Sequence, residues 1–485
     1  MKKNFLLRIA TNKHRYYFAG ALFISTLIGV LSVAALTNNQ LLVKEQHSAV
    51  ESATFLLEGL PKSLVDAPYH ITQKLSLYLF DITTFGIKLP SLVIAIFVGI
   101  GFAYLLRYWM LRPSIALFTS IIAITNVHFL YVATTGTPMI MLMFWPMSLF
   151  LIGLKLVRSH GSFRWGFLLS VLVGLSLYTP LMVYVVISIL MLALLHPHLR
   201  YLIKKMPKIH LLIYFLTITL LVAPLVYSLM RNPSDILTLL GKPETPLTLE
   251  ILRNNLLDLG RALVQFWYPT FTHLGPQPML SVASLVLVVF GIMKLLAQHY
   301  SARSYGLLIL MPIVLILSVI NPSLMTIIFV PSVLLLAIGI GAFLQEWNKI
   351  FPFNPYARVV ALVPFVVLLT SIMIANTVAF QNTYRYNPVI EHYYNRDLAL
   401  VRPLLDRYPK AHVITTSHNQ PFYDLLRRDY PDISASTNII VKPTKDRPVI
   451  AAAGSGIQPN KNKIPDFIVT DYYAHREPRF YVYNK

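Results

Sequence analysis

The segment YYFAGALFISTLIGVLSVAALT (16–37) is followed closely by KEQHSAVESATFLLEG (44–59). The first segment carries no charge over its 22 residues. A helix rises about 1.5 Å per residue, so this length is enough to cross about 30 Å of hydrocarbon. The second segment is amphipathic and begins near Glu45. Together they predict a membrane span that delivers a carboxylate to the membrane surface.

The whole chain shares the apolar character of this opening. Only 13% of its 485 residues are charged, against about 25% in soluble proteins, and the mean hydropathy is +0.61. We therefore predict a polytopic α-helical membrane protein with about eleven transmembrane helices. The predicted spans lie near residues 16–37, 89–108, 114–133, 138–156, 165–178, 181–196, 209–229, 278–297, 305–320, 323–345 and 358–379.

The positive charge of the chain indicates orientation rather than nucleic-acid binding. The formal net charge is +21, but the basic residues lie in short clusters between predicted spans, so we predict no nucleic-acid partner. Lysine and arginine are retained on the cytoplasmic side. With the N-terminus inside, the inner segments hold 18 basic residues and the outer segments before residue 381 hold eight. We expect a multi-pass protein of the cell membrane whose C-terminal segment lies outside.

Two domains follow from this pattern. Residues 1–380 form the predicted transmembrane domain, with long outer loops at 38–88 and 231–277. The second loop contains the amphipathic stretch LEILRNNLLDLGRALVQFW (249–267), which predicts a helix lying on the membrane surface. Residues 381–485 form a predicted extracytoplasmic α/β domain that folds outside the membrane. Its predicted strands are at 411–417, 438–441, 448–453 and 466–470, and its predicted helix is at 420–430.

Nearly all the carboxylates of the predicted transmembrane domain lie in its outer segments. Residues 1–380 contain ten, nine of them in outer segments and none in a predicted span. This argues against an ion-coupled transporter, which needs ionisable groups inside the membrane, and favours chemistry at the outer surface. Any one of these acids is most simply a solvated surface group. Glu45 differs because it heads an amphipathic helix at the membrane surface, where burial can tune its pKa for base catalysis.

The motifs around Glu45 resemble those of the GT-C glycosyltransferases, which take sugars from polyprenyl phosphate. Protein O-mannosyltransferases and the aminoarabinose transferase of lipid A place an Asp-Glu pair after the first span, on a helix that ends in Leu-Leu-x-Gly. Here Glu45-Gln46 begins EQHSAVESATFLLEG. The similarity continues in order over about residues 15–380, through APYHITQKLSLYLFDITTFGIKLPS (67–91), THLGPQPMLS (272–281) and NPSLMTIIFVPSVLLLAIGIGAFLQEW (321–347).

The resemblance implies a GT-C fold and a membrane glycosyltransferase that moves a sugar from a polyprenyl-phosphate donor to a protein, lipid or glycan of the envelope. It implies Glu45 as the catalytic base. The candidate substrate-binding residues are Lys88, Arg253, Arg261, Tyr69 and His70. Membrane lipids are the other expected partners.

Two departures from the family pattern affect these implications. Ala67 replaces the lysine that precedes Pro-Pro in the family, and the second outer loop, ATTGTPM (133–139), has no acid. We therefore predict no metal or other cofactor. One alternative is a catalytically degenerate protein that binds lipid-linked glycan or a partner protein. The other is a transporter or flippase. The glycines of IGIGAF (338–343) lie inside a predicted span and are expected to serve helix packing.

Overall fold

A computed structural model of the chain describes residues 15–55, 63–110, 112–243, 246–264, 270–272, 275–350, 355–387, 390–437, 447–455, 464–471 and 478–484. The described part up to Tyr386 is mainly helical. Its α-helices are α1 (Arg15–Thr37), α2 (Val43–Thr54), α3 (Ala67–Phe80), α4 (Thr84–Trp109), α5 (Pro113–Thr125), α6 (Val127–Thr134), α7 (Met141–Arg158), α8 (Phe163–Ser176), α9 (Met182–Leu195), α10 (Pro197–Lys205), α11 (Lys208–Arg231), α12 (Ser234–Leu239), α13 (Leu249–Val264), α14 (Val282–Ala297), α15 (Ala302–Ile320), α16 (Phe329–Ile350) and α17 (Pro355–Tyr386). Pro138–Ile140 and Pro322–Ile328 are 3-10 helices.

Among the described residues, seven helices are long and apolar enough to cross a membrane, or up to nine if two bent pairs each count as one span. These helices support the predicted multi-pass membrane protein, but they do not confirm the number eleven. The difference lies in α8 and α14, which are apolar but shorter, and in the bent pairs α5–α6 and α9–α10.

The bend between α5 and α6 is built around Asn126. The two helices meet at 57°. The Asn126 side-chain oxygen accepts hydrogen bonds from the backbone N–H groups of His128 and Phe129, which caps the start of α6. Its Nδ2 donates to the carbonyl of Met279 at 2.9 Å. This fixed bend directs the end of α6 toward the candidate site described below.

The backbones of α14 and α16 approach each other closely, and glycine residues permit this approach. A Cβ at Gly339 would lie 1.7 Å from the carbonyl oxygen of Leu287, and a Cβ at Gly291 would lie 2.1 Å from that of Leu335. Small residues let helix backbones approach in this way. The expected packing role of the IGIGAF glycines is confirmed for Gly339.

The residues after Tyr386 form an α/β unit with one main sheet. Its elements are α18 (Ile390–Tyr393), β4 (Tyr394–Asn395), α19 (Asp397–Arg407), β5 (His412–Ile414), α20 (Gln420–Leu425), β6 (Ser434–Ser436), β7 (Val449–Ala452), β8 (Phe467–Thr470) and β9 (Pro478–Tyr483). The sheet order is β6-β5-β7-β9-β8, with β5 parallel to β6 and β7, and β9 antiparallel to β7 and β8. The predicted strands at 411–417, 448–453 and 466–470 are present, whereas 438–441 lies outside the described residues.

This unit packs against the first outer loop and shares a hydrophobic core with it. Ala49 of α2 and Leu77 of α3 belong to the same buried cluster as Val401, Phe422 and Phe480. The short strand β1 (Leu41–Leu42) pairs antiparallel with β4. Two other short strands, β2 (Thr270–Thr272) and β3 (Gly275–Gln277), form a hairpin. The C-terminal unit is therefore joined to the outer loop by both backbone pairing and apolar packing.

We expect Gly339→Ala to lower the melting temperature of the purified protein, because the new methyl group meets backbone rather than a flexible side chain. Overpacking of this kind costs about 1–3 kcal/mol. The control is Gly29→Ala in α1, where nothing lies within 4 Å of the added Cβ and alanine is the better helix former. Equal melting temperatures for the two variants would contradict the close α14–α16 contact.

Candidate active site

Glu45 lies in the first turn of α2, where its side chain turns back toward the start of the helix. Its Oε2 accepts a hydrogen bond from the backbone N–H of Leu42 at 2.7 Å. The first N–H groups of a helix have no partner within the helix, and an acid in this position supplies one. The side chain is completely buried. Local capping thus explains why the carboxylate points inward rather than into solvent.

The other carboxylate oxygen contacts the acid-free segment ATTGTPM. Glu45 Oε1 accepts a hydrogen bond from the backbone N–H of Gly136 at 2.5 Å, and Gly136 follows the end of the bent α6 helix. A Cβ at Gly136 would lie 2.7 Å from the carbonyl oxygen of Ile87. Only glycine lets this segment approach the start of α4 closely enough to reach Glu45.

Lys88 provides the nearest positive charge. Its Nζ lies 3.8 Å from Glu45 Oε1, and both side chains are buried. The ammonium also donates to the carbonyl oxygens of Asn38 at 2.8 Å and Gln40 at 2.5 Å, just after α1 ends. The ring of Tyr394 lies 6.0 Å from Nζ. Lys88 therefore joins α4, the end of α1 and Glu45.

Burial is the dominant influence on the ionisation of Glu45. Loss of solvent raises the pKa of its carboxyl, and the charge of Lys88 together with the two backbone N–H donors opposes that rise. A base is most effective when its pKa is near the working pH. The site thus contains an acid whose environment moves its pKa in the direction that base catalysis requires.

Gln73 of α3 connects this centre to His70, another predicted residue. Its Nε2 donates to the carbonyl oxygens of Ile87 at 2.9 Å and Gly136 at 3.0 Å, and its Oε1 accepts from Ser48 and Ser52. Ser52 also contacts His70 Nδ1 at 2.8 Å. A buried amide with all of these bonds fixes the relative positions of α2, α3 and α4.

Tyr69 and His70 are part of this network, at the start of α3. The Tyr69 hydroxyl lies 2.8 Å from Ser91 Oγ on α4, and His70 Nε2 lies 3.8 Å from Glu51 Oε2. Burial lowers the pKa of His70 to about 4, so the imidazole is neutral at pH 7. The structure thus brings Glu45, Lys88, Tyr69 and His70 into one connected region.

Arg253 and Arg261 lie on α13, which packs against α14, α15, β3 and the Pro322–Ile328 segment. Both residues are exposed, and Arg261 forms an ion pair with Asp258 at 3.1 Å. The predicted surface helix is present, with Leu249, Leu252 and Leu256 exposed. The contacts of these two arginines are thus different from those of Glu45 and Lys88.

Several residues of the region were not singled out from the sequence. Gln73, Gly136 and Asn38 are ordinary loop or helix residues by sequence, and only the fold gives them their roles. Tyr394 comes from a distant part of the chain, and its hydroxyl lies 3.0 Å from that of Tyr384. Gln46, which stands where the family has Glu, donates to Asn395 Oδ1 at 3.1 Å.

Asp66 is a second acid near this region, and its carboxyl is shielded from solvent although the residue as a whole is partly exposed. Its backbone adopts the left-handed conformation, with φ of 54°, and its N–H donates to the carbonyl of Tyr178 at 2.8 Å. Its Oδ1 has no hydrogen-bond partner among the described residues. Burial raises the pKa of Asp66 to about 7. The sequence counted Asp66 only among the outer acids, because nothing in its neighbours predicts burial.

In the described part of the chain, no group of three or more His, Asp or Glu side chains is close enough together to hold an ion.

The comparisons with known proteins agree with this architecture. Residues 68–227 match the model of the dolichyl-phosphate-mannose-protein mannosyltransferase family. The fold is similar to the crystal structure of ArnT from Cupriavidus metallidurans bound to undecaprenyl phosphate, with a TM-score of 0.58, 13% identity, and coverage of 97% of this chain and 98% of that chain. The apo structure of the same ArnT gives a TM-score of 0.55 at 13% identity, covering 95% and 97%. No curated protein matches the sequence.

The membrane helices and the shared fold define a GT-C architecture. The family match covers residues 68–227, and both findings agree with the resemblance that the motifs around Glu45 indicated.

Asp66→Asn should change how the stability of the protein depends on pH. A carboxyl whose pKa is raised in the folded state contributes stability below its unfolded pKa, near 4, and loses it as the pH rises through about 7. Asparagine resembles the protonated acid and also tolerates the left-handed backbone. The measurement is the melting temperature of each protein at pH 5 and at pH 8. Relative to wild type, Asp66→Asn should gain several degrees between the two pH values, because only wild type loses stability over that range.

The matched control is Asp81→Asn. Asp81 has the same left-handed φ, 55°, but its side chain is exposed. Its melting-temperature difference from wild type should stay constant over this pH range. If both variants behave alike, the Asp66 carboxyl is not shielded from solvent as described above.

Proposed function

We propose that this protein transfers a sugar from a polyprenyl-phosphate donor to an envelope acceptor on the outer face of the membrane. The observation that carries the proposal is the fold similarity over nearly the whole of both chains to ArnT bound to undecaprenyl phosphate. The buried Glu45 beside Lys88, following the first predicted span, supplies chemistry suited to that reaction. The acceptor is a protein, lipid or glycan of the envelope.

In the proposed reaction Glu45 acts as the base. A hydroxyl or amine of the acceptor attacks the anomeric carbon, the bond from that carbon to the phosphate oxygen breaks, and polyprenyl phosphate leaves with the electron pair. Glu45 takes the acceptor proton. A single displacement needs one base, so a lone acid is sufficient. The hydrogen bonds from Leu42 and Gly136 hold the carboxylate in position for that step.

The leaving phosphate needs fixed positive charge. We propose that Lys88 supplies it next to Glu45, and that the exposed Arg253 and Arg261 on α13 bind the donor phosphate from the membrane surface. Tyr69 and His70 are proposed to line the sugar site from the start of α3. His70 would act there as a neutral hydrogen-bonding group, since its pKa is lowered to about 4 by burial.

We further propose that transfer requires no resident metal or other cofactor. The segment that carries an acid in the family here presents the N–H of Gly136 to Glu45. The proposed site therefore has one carboxylate and one ammonium, which carry opposite charges. A divalent ion is usually held by oxygen ligands from more than one carboxylate or by several histidines.

The proposed orientation places Glu45 and the C-terminal unit outside the cytoplasm. Its support is the excess of basic residues in the predicted inner segments, 18 against eight. Domain boundaries at 1–380 and 381–485 are proposed with it, although the shared core with the outer loop makes the second unit dependent on the first.

A second candidate function is binding of lipid-linked glycan without catalysis. The observation that favours it is the complete burial of Glu45, with both oxygens accepting backbone hydrogen bonds. An acceptor must reach this carboxylate for transfer to occur. Ala67, in place of the family's lysine, favours the same alternative.

The deciding experiment compares Glu45→Gln with the double variant Glu45→Gln/Lys88→Met. The single change leaves a buried ammonium unpaired, which is strongly destabilising, whereas removing both charges restores neutrality. We expect the double variant to recover thermal stability while sugar transfer stays about 10²–10⁴-fold below wild type. The measurement is transfer of labelled sugar from polyprenyl phosphate, in right-side-out membrane vesicles supplied with both substrates from outside.

The control is Glu51→Gln, which changes an acid of the same helix whose side chain is 69% exposed and should keep near-wild-type transfer. Recovery of activity together with stability in the double variant would rule out Glu45 as the base. Wild-type protein that binds the donor but transfers no sugar would favour the binding function.

A further inference from the structure

Two histidines from distant parts of the chain meet at the junction of α2 and the C-terminal unit. The Nε2 atoms of His47 and His418 lie 3.1 Å apart. His47 is two residues after Glu45 on α2, but it is exposed where Glu45 is buried. His418 lies in the turn between β5 and α20. The pair therefore links the helix that carries Glu45 to the C-terminal unit.

The two imidazole rings approach each other through their Nε2 atoms. The ring centroids are 4.5 Å apart and the planes are inclined by 61°. Two rings joined end to end through an N–H···N bond would have their centroids further apart, so the rings here diverge from their Nε2 atoms. Imidazole nitrogens bind Zn²⁺ at about 2.0–2.1 Å, which places two of them about 3.3 Å apart on a tetrahedral ion.

Both histidines are exposed to solvent. The histidines line a shallow pocket with Gln46, Val50, Asn419, Pro421 and Phe422. Water can therefore complete the coordination of an ion there.

We propose that His47 and His418 bind one divalent transition-metal ion, which fastens the C-terminal unit to α2. The site lies outside the residues proposed for the transfer reaction. Imidazole ligands suit Zn²⁺, Ni²⁺ and Cu²⁺, and Zn²⁺ is the probe of choice because it has no redox chemistry.

The test is calorimetric titration of the full-length, metal-free protein with Zn²⁺ at pH 7.5, using protein without a histidine tag. We expect one site in wild type and at least a tenfold higher Kd in both His47→Gln and His418→Gln, because each variant loses a ligand. Zn²⁺ should also raise the melting temperature of wild type and not of either variant. The control is His198→Gln, which replaces an exposed histidine of α10 and should leave both readouts unchanged.

The metal-free melting temperatures separate lost binding from lost folding, since glutamine keeps the size and polarity of the site. Unchanged Zn²⁺ affinity in both variants, or no saturable binding by wild type, would overturn the proposal. None of these readouts depends on sugar transfer, so the proposed function and the proposed metal site succeed or fail separately.

Discussion

The buried contact between Glu45 and Lys88 is the interaction on which the outer part of the structure depends. An ionised carboxylate in the interior is costly unless it is paired and hydrogen-bonded. Glu45 meets that requirement with two backbone N–H groups and an ammonium 3.8 Å away. Each partner comes from a different segment, so satisfying one charge fixes the end of α1, the start of α2, the start of α4 and the segment after α6.

The same constraint explains the position of the C-terminal unit. Lys88 faces the ring of Tyr394, and Gln46, the neighbour of Glu45, donates to Asn395. These two residues form β4, which pairs with β1 immediately before α2. The C-terminal unit thus packs over the proposed site. Access of an acceptor to Glu45 would require movement at this junction.

The sequence predicted the parts of this account that depend on composition and local pattern. Uncharged runs predicted the apolar helices, and β-branched runs predicted β5, β7 and β8. Glu45 was predicted because an acid beside a span is unusual, and Lys88 because it stands at a family motif. The parts that the sequence did not predict depend on which residues lie close together in three dimensions. Gln73 acts through side-chain hydrogen bonds to other segments and Gly136 through its backbone N–H, and the pairing of Asn395 with Leu41 joins residues separated by most of the chain.

Three predictions from the sequence concern features that local pattern does not determine. Hydropathy counted α8 and α14 among the eleven spans, and both are shorter than the seven long apolar helices. The sequence offered Arg253 and Arg261 as substrate-binding residues together with Lys88, but helical periodicity gives the face of a helix and not its neighbours, so it could not place the arginines relative to Lys88. The polar composition of the C-terminal residues predicted a unit that folds outside the membrane, and could not indicate that its core includes Ala49 and Leu77.

An experimental structure of the protein with undecaprenyl phosphate would test the central claim most directly. The account predicts that the phosphate lies beside the Glu45–Lys88 pair, with the lipid chain running along the membrane helices. It also predicts that the β1–β4 junction shifts enough to expose a carboxylate oxygen of Glu45. The account would be contradicted by a phosphate bound away from this pair, with both Glu45 oxygens still hydrogen-bonded to the backbone of Leu42 and Gly136.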